Sequence, residues 1–460
     1  MAEFRLFLNS TIESSFSISQ NIPLLSAPAL KRTLSPFLLW GLGVGYVISG
    51  MYFGWNLGLE QGGTGGLAIA TFFIIIMYTT FTFSYAELAA AIPKAGGVFD
   101  YAHRALGKDI GFIAGMAQNI EFIFAPPAIA FAIGAYFNLF FPQISILSIA
   151  MFAYVLFTAL NIYGVRAAAL FELVITILAV GELLLFAGIT LPHFELRNIQ
   201  HNAFPHGWQG ILAAIPFAIW FFLGIEGVAN TAEEVVRPQR TLLLGFGSAI
   251  ITLVILCILV FISSIGVNGW ETIVYKADGA TSDSPLPLAL AHITGNNHML
   301  YHLLITVGLF GLIASFHGLI LSAGRSTYEF GKVKFAPAFL GKIHTRFKTP
   351  SIALLINMVL GIIALRSGKT GEIITLSVFG ALTLYIISMI SMLQLRKKEP
   401  QLERPFRVPL YPVFPVVALI IACLAIIAMT VYNFNLALFY ILLMALSFGI
   451  FKLLNKRETV

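Results

Sequence analysis

The sequence predicts an all-α membrane protein of about twelve spanning helices. Three observations carry this reading. Of the 460 residues, 58% are hydrophobic and only 10% charged. The mean hydropathy is +0.89. Apolar runs of about 20 residues, the length that crosses a bilayer, recur along nearly the whole chain. So little polar surface cannot coat a soluble fold of this size. A membrane barrel would show short alternating segments instead.

The runs fall at 36–60, 64–91, 109–139, 143–164, 167–191, 209–235, 241–266, 297–330, 350–366, 371–393, 411–431 and 434–454. The segment before them, residues 1–34, mixes Glu3, Arg5, Glu13 and Pro23 with short apolar pieces and reads as a cytoplasmic tail, not a signal peptide. With the N-terminus inside, every Lys and Arg except Arg197, Lys276, Arg366 and Lys369 falls on the cytoplasmic side. That obeys the positive-inside rule and accounts for the net charge of +6 without nucleic acid. Cys257 and Cys423 both lie in apolar spans, which gives neither a disulfide framework nor a thiolate metal site.

The first span contains Gly43, Gly45, Ser49, Gly50 and Gly54, and the sixth contains Gly224, Glu226 and Gly227. Both should break near the middle. Taking residues 35–200 as spans one to five and 201–395 as spans six to ten, the odd number of crossings turns the second unit upside down relative to the first. The two broken spans then lie antiparallel with their unwound centres together, the arrangement of a secondary transporter with its site at the bilayer midplane. Residues 396–460 supply spans eleven and twelve and a C-terminal tail. Residues 95–104, after Pro93, suit a short helix along the membrane surface, and 267–296 a longer polar outer loop.

Ionisable groups inside a membrane are costly, so the few intramembrane carboxylates are functional candidates. Glu121 lies near the centre of span three on a stripe with Ala114, Ala117, Gln118, Ala125 and Ala128, and should point inward. Pro126 and Pro127 lack amide hydrogens, which frees the carbonyls of Phe122 and Ile123. Glu226 sits at the weak point of span six, where it can bind both a proton and an ammonium group. Ser49, Gly50 and Gly224 offer hydroxyl and backbone oxygens to the same site. Tyr52, Trp220 and Phe222, with Phe124, could form an aromatic wall around a cation. Glu182 is a further candidate proton acceptor in span five. Glu87, Glu172, Glu233 and Glu234 read as interfacial ion pairs near Lys94, Arg166 and Arg237. His317, a lone histidine on an apolar helix, reads as a hydrogen-bonded core residue.

Several motifs resemble the amino acid, polyamine and organocation superfamily, from about residue 35 to 450: Pro93 with Gly96-Gly97, Tyr101, Ala105, Gly107 and Gly111; Trp220 with Gly224-Ile225-Glu226; and Arg404-Pro405-Phe406-Arg407-Val408-Pro409. Val47-Ile48-Ser49-Gly50 with Tyr52-Phe53-Gly54-Trp55, and Glu121 through Ala130, are similar to the bacterial ethanolamine permeases. That subfamily usually carries an acidic residue where Met51 stands here. Many relatives carry a lysine midway through span five, at the place of Ala179, and Glu182 one turn later reverses the local charge.

The resemblance implies a LeuT-like 5+5 inverted-repeat core in a bacterial inner membrane, both termini cytoplasmic, with Trp220 as an aromatic gate. It also implies proton-coupled import of a small amine, ethanolamine first, by alternating access. An amino acid permease, symporter or exchanger, is the nearest alternative, and sodium coupling stays open. No selectivity-filter-like segment favours a channel. No HExxH pair or other metal-ligand cluster favours an enzyme, and no cofactor is expected.

Overall fold

The computed structural model describes residues 33–94, 96–164 and 168–456. Its elements are α1 Pro36–Val47, α2 Ser49–Tyr52, α3 Leu57–Ala91, α4 Val98–Leu106, α5 Lys108–Asn138, α6 Ile146–Tyr163, α7 Ala168–Thr190, α8 Leu196–Gln200, α9 Gly207–Ala213 and α10 Ile215–Trp220. A 3₁₀ segment, Ile225–Glu234, follows. The chain continues as α11 Pro238–Asn268, α12 Glu271–Val274, α13 Pro285–Thr294, α14 Met299–Lys332, α15 Ser351–Leu365, α16 Thr370–Lys398, α17 Val413–Tyr432 and α18 Phe434–Lys456. Among the described residues there is no strand, only two isolated bridges, Leu34 with Val235 and Tyr275 with Thr281.

Local chemistry sets the helix limits. Ser35 caps α1, its Oγ accepting the Leu38 amide at 3.4 Å, and Pro36 starts the helix where no amide is needed. Ser145 caps α6 in the same way, at 3.2 Å from the Ser148 amide. Helical structure continues from Leu57 to Ala91, but Gly63 interrupts it with φ 63 and ψ −172, a conformation only glycine adopts without strain. The boundary expected between the first and second spans is this kink. The loop expected over 267–296 is instead partly folded into α12 and α13. The helix expected near residues 95–104 forms as α4, which buries Val98, Phe99, Tyr101, Ala102 and Ala105 and exposes His103 and Arg104.

Among the described residues, nine helices are long and apolar enough to cross a membrane, or ten if the bent pair α9 and α10 is one span. α1 and α15 are apolar but shorter. Helix α5 is the axis of the molecule: α16 lies along it, and α14, α6 and α4 pack around it. The outward surfaces of α6, α7, α17 and α18 are greasy, with Phe152, Leu170, Val174, Leu424, Val431 and Leu442 exposed. Water would oppose such a surface, and lipid accommodates it. The chain is a multi-pass membrane protein.

Charge separates along the helices. Arg396, Lys397 and Lys398 fill the last turn of α16, while Lys369 precedes its start. The end of the bundle holding Arg396 to Lys398, Lys332, Arg346 and Lys348 is called the basic face below. There the buried carboxylate of Glu87 binds Arg396 through two hydrogen bonds of 2.7 Å, accepts the Val408 amide at 2.7 Å and has Arg404 at 3.4 Å. The pairing of Glu87 with Lys94 is not formed. Lys94 instead has Asp100 at 3.9 Å. Arg166 and the 1–32 tail lie outside the described residues, as do the side chains of Glu233 and Glu234.

Candidate functional site

The first helix breaks after Val47, resumes for one turn as α2, and opens again from Phe53 to Asn56. The sixth breaks between Trp220 and Ile225, where Gly224 has φ +98. These two breaks are in direct backbone contact. A Cβ added at Gly50 would lie 2.5 Å from the Trp220 carbonyl oxygen and 3.0 Å from the Phe221 Cα, so only a residue without a side chain fits. The Trp220 indole donates to the Phe53 carbonyl at 3.0 Å, and its ring meets Phe53 edge-on at 5.4 Å. Trp55 stacks on Phe221 at 5.5 Å and donates to the Met51 carbonyl at 3.2 Å.

Two glutamates face each other beside these breaks. Glu121, from α5, and Glu226, from the 3₁₀ segment, are neighbours whose carboxyl groups interact electrostatically. Both residues are buried. Oε2 of Glu226 accepts the Tyr385 hydroxyl at 2.9 Å, and that hydroxyl meets the Tyr78 hydroxyl at 2.9 Å. Neither oxygen of Glu121 nor Oε1 of Glu226 receives a donor from another described residue. These three oxygens therefore have spare acceptor capacity for a bound donor. α16 supports Glu121 closely: Ser377 Oγ donates to its carbonyl at 3.0 Å, and Gly380 lets the two helices approach.

Glu182 belongs to a separate cluster. Its Oε2 accepts the Tyr52 hydroxyl at 2.6 Å, and that hydroxyl also lies 3.1 Å from the Ala179 carbonyl. Tyr136 donates to the Tyr52 carbonyl at 3.2 Å. Tyr52 therefore turns toward α7 and away from the Glu121 and Glu226 carboxyls. Phe222 packs on Tyr78, ring centroids 5.2 Å apart. Phe124 is half-buried and stands outside the ring pairs found among the described residues.

Residues that sequence reasoning missed join the candidates together. Tyr78, Ser377 and Tyr385 surround the two glutamates. Ser315 of α14 spans the break in the first helix, accepting the Ser49 amide at 2.9 Å and donating to the Gly45 carbonyl at 2.6 Å. Above Trp220, on the face opposite the basic one, a vestibule of about 870 Å³ is lined by Phe131, Phe217, Asp283, Lys369 and Thr375, among others. Asp283 accepts the Thr370 hydroxyl at 3.1 Å. Burial pushes its carboxyl up to about 6, against the opposing effects of Thr370 and Lys276. Among the described residues no cluster of metal-ligating side chains occurs.

Broken helices packed together beside buried carboxylates are an arrangement that secondary transporters use. The chain belongs to the amino acid permease family, whose model matches residues 34–448. An uncharacterized transporter of Rhizobium meliloti (strain 1021) is 28% identical over 400 residues, covering 83% of each chain. The methylthioribose transporter of Bacillus subtilis (strain 168) is 26% identical over 84% of this chain and 85% of its own. The branched-chain amino acid permease BcaP of the same strain is 26% identical over the same shares.

Proposed function

We propose that this transporter imports a small amine, ethanolamine first, by proton-coupled alternating access through a LeuT-like 5+5 inverted-repeat core of about twelve spans. In this reading residues 35–200 and 201–395 are the two repeats, 396–460 add the last two spans, and the basic face is cytoplasmic in a bacterial inner membrane. One observation carries the substrate class: the buried Glu121 and Glu226 pair, with no basic side chain binding it among the described residues. Such a site attracts an ammonium group. An entering ammonium and a proton compete for the same two carboxyls, which links substrate and proton occupancy. The free carbonyls of Phe122 and Ile123 and the oxygens around Ser49, Gly50 and Gly224 offer acceptors to the remaining N–H and O–H groups of the ligand. Trp220 and Phe222 give the site an aromatic wall, with Trp220 the gate toward the vestibule. Tyr52 and Glu182 form an outlying part of it.

A second reading, an amino acid as substrate, rests on the relatives, one of which is named a branched-chain amino acid permease. The N-terminal ends of half-helices at the breaks would then hold the carboxylate. Uptake of labelled ethanolamine into proteoliposomes under an imposed pH gradient, with amines and amino acids as competitors, separates the two. Saturable ethanolamine accumulation supports the first reading. Accumulation of an amino acid with no ethanolamine uptake overturns it. Replacing sodium in the same assay shows which ion drives transport.

A further inference from the structure

A second pair of ionisable groups lies apart from the Glu121 and Glu226 site. Glu172 of α7 and His317 of α14 are both buried, and His317 Nδ1 is 3.9 Å from Glu172 Oε2. Arg166, near which the sequence suggests an interfacial ion pair for Glu172, lies outside the described residues. The other carboxylate oxygen, Oε1, has no hydrogen-bond partner among the described residues and lies against the last turn of α1. A Cβ built on Gly45 would be 2.7 Å from it. The Gly45 carbonyl is in turn held by Ser315, two residues before His317. His317 also lines a polar cleft of about 490 Å³ on the basic face, with Asn161, Tyr163, Arg325, Arg346 and Lys348.

We propose that Glu172 and His317 form a second proton site, which releases the co-transported proton into the basic-face cleft. The proposal rests on the proton coupling argued above. The proton on Glu172 passes to Nδ1 of neutral His317, and the imidazolium gives its Nε2 proton to water of the cleft, so charge and protons balance. The carboxylate left behind faces the C-terminal end of the α1 half-helix, where the helix dipole is negative. Deprotonation therefore pushes α1 away from α7, and reprotonation lets it return. The titratable and charged groups that line the cleft with His317 are Tyr163 from α6, Arg325 on α14 itself, and Arg346 and Lys348 from the segment before α15. The three cations at the cleft favour outward release of a proton over its return.

The test uses the full-length protein in proteoliposomes. Glu172→Gln and His317→Gln are each expected to lower pH-gradient-driven accumulation of the transported substrate by about tenfold, while counterflow exchange stays within about threefold of wild type. Retained exchange also shows that each variant is folded. Glu172→Asp, which keeps the carboxyl, should restore part of the accumulation. Normal gradient-driven accumulation in both Gln variants overturns the proposal.

If neither variant folds, the unmodified protein still decides. Its net uptake must slow as the pH at the basic face is lowered from about 8 to about 5, because protons supplied there oppose release from the second site. A flat dependence overturns the second site. If the wild type accumulates nothing under a pH gradient, proton coupling itself fails and this inference with it. If the wild type accumulates and the Gln variants do so equally well, only the second site fails.

Discussion

The Tyr385 hydroxyl donates to Oε2 of Glu226 at 2.9 Å, across 159 positions of sequence. It fixes one of the two carboxyls and leaves Oε1 buried without a donor from the described residues. Tyr385→Phe removes the donor and strands a buried acceptor, at a cost of about 1–3 kcal/mol. The expected result is a fall of roughly tenfold or more in the ratio of maximal uptake rate to KM for the substrate. Tyr78→Phe, which removes only the next hydroxyl along, should be milder. Equal effects would show that the phenols act merely by packing.

Glu121→Gln keeps the shape of the site and removes one of its two ionisable groups. Gradient-driven accumulation should be lost, with exchange of substrate for substrate partly kept. Uptake with wild-type KM and wild-type concentration ratio would remove Glu121 from the coupling machinery.

At Gly50 any side chain meets the Trp220 backbone. Gly50→Ala should therefore separate the two broken helices and abolish uptake, while a fluorescence-detected sizing profile shows folded protein in the membrane. Active Gly50→Ala would contradict the tight approach of these two segments.

The buried Glu87 carboxylate neutralises Arg396 and Arg404 together. Glu87→Ala takes the carboxylate from two largely desolvated cations and leaves Arg404 only backbone carbonyls, a loss of about 3–5 kcal/mol. The exposed Arg104 and Glu399 pair, despite contacts of 2.9 and 2.6 Å, contributes only about 0–1 kcal/mol. Thermal unfolding in detergent should show a large drop for Glu87→Ala and almost none for Arg104→Ala.

Asp283 gives a dependence on pH. Its folded-state carboxyl stands at about 6 against an ordinary 3.8, so the folded protein holds this proton more tightly than the unfolded chain. Stability from this group is complete below the unfolded value and is lost as pH rises from 3.8 through about 6. Asp283→Asn removes the penalty. The variant's thermal stability relative to wild type should rise over that window and level off above it. A constant difference from acid to neutral pH would refute the assignment.

Most of the architecture was legible because hydropathy is a local signal. The apolar runs lie within a few residues of the helices found, and Gly224 lies at the break where the sixth span was expected to open. The inward turn of Glu121 and Glu226 could also be read, since a lone carboxylate in lipid has nowhere else to go. Their pairing could not, because Glu121 and Glu226 sit on elements whose relative rotation no local pattern specifies. The partners Tyr385, Tyr78 and Ser315 carry hydroxyls that are common on apolar helices. One faint sign was available: Ser377, Gly380 and Ser388 mark one stripe of α16, with Tyr385 beside it. His317 was read as a solitary core residue because its partner, Glu172, lies on a different helix.

Ser315 holds the chain on both sides of the gap after Val47, with one bond to Gly45 and another to Ser49. The broken helix is thereby stapled to α14 at its weakest point. In the proposed alternating-access cycle, a tilt that opens the passage carries both helices as one lever, and the flexing falls elsewhere. Cutting the staple with Ser315→Ala would let the two pieces of the first helix swing independently, turning a shared stroke into slack.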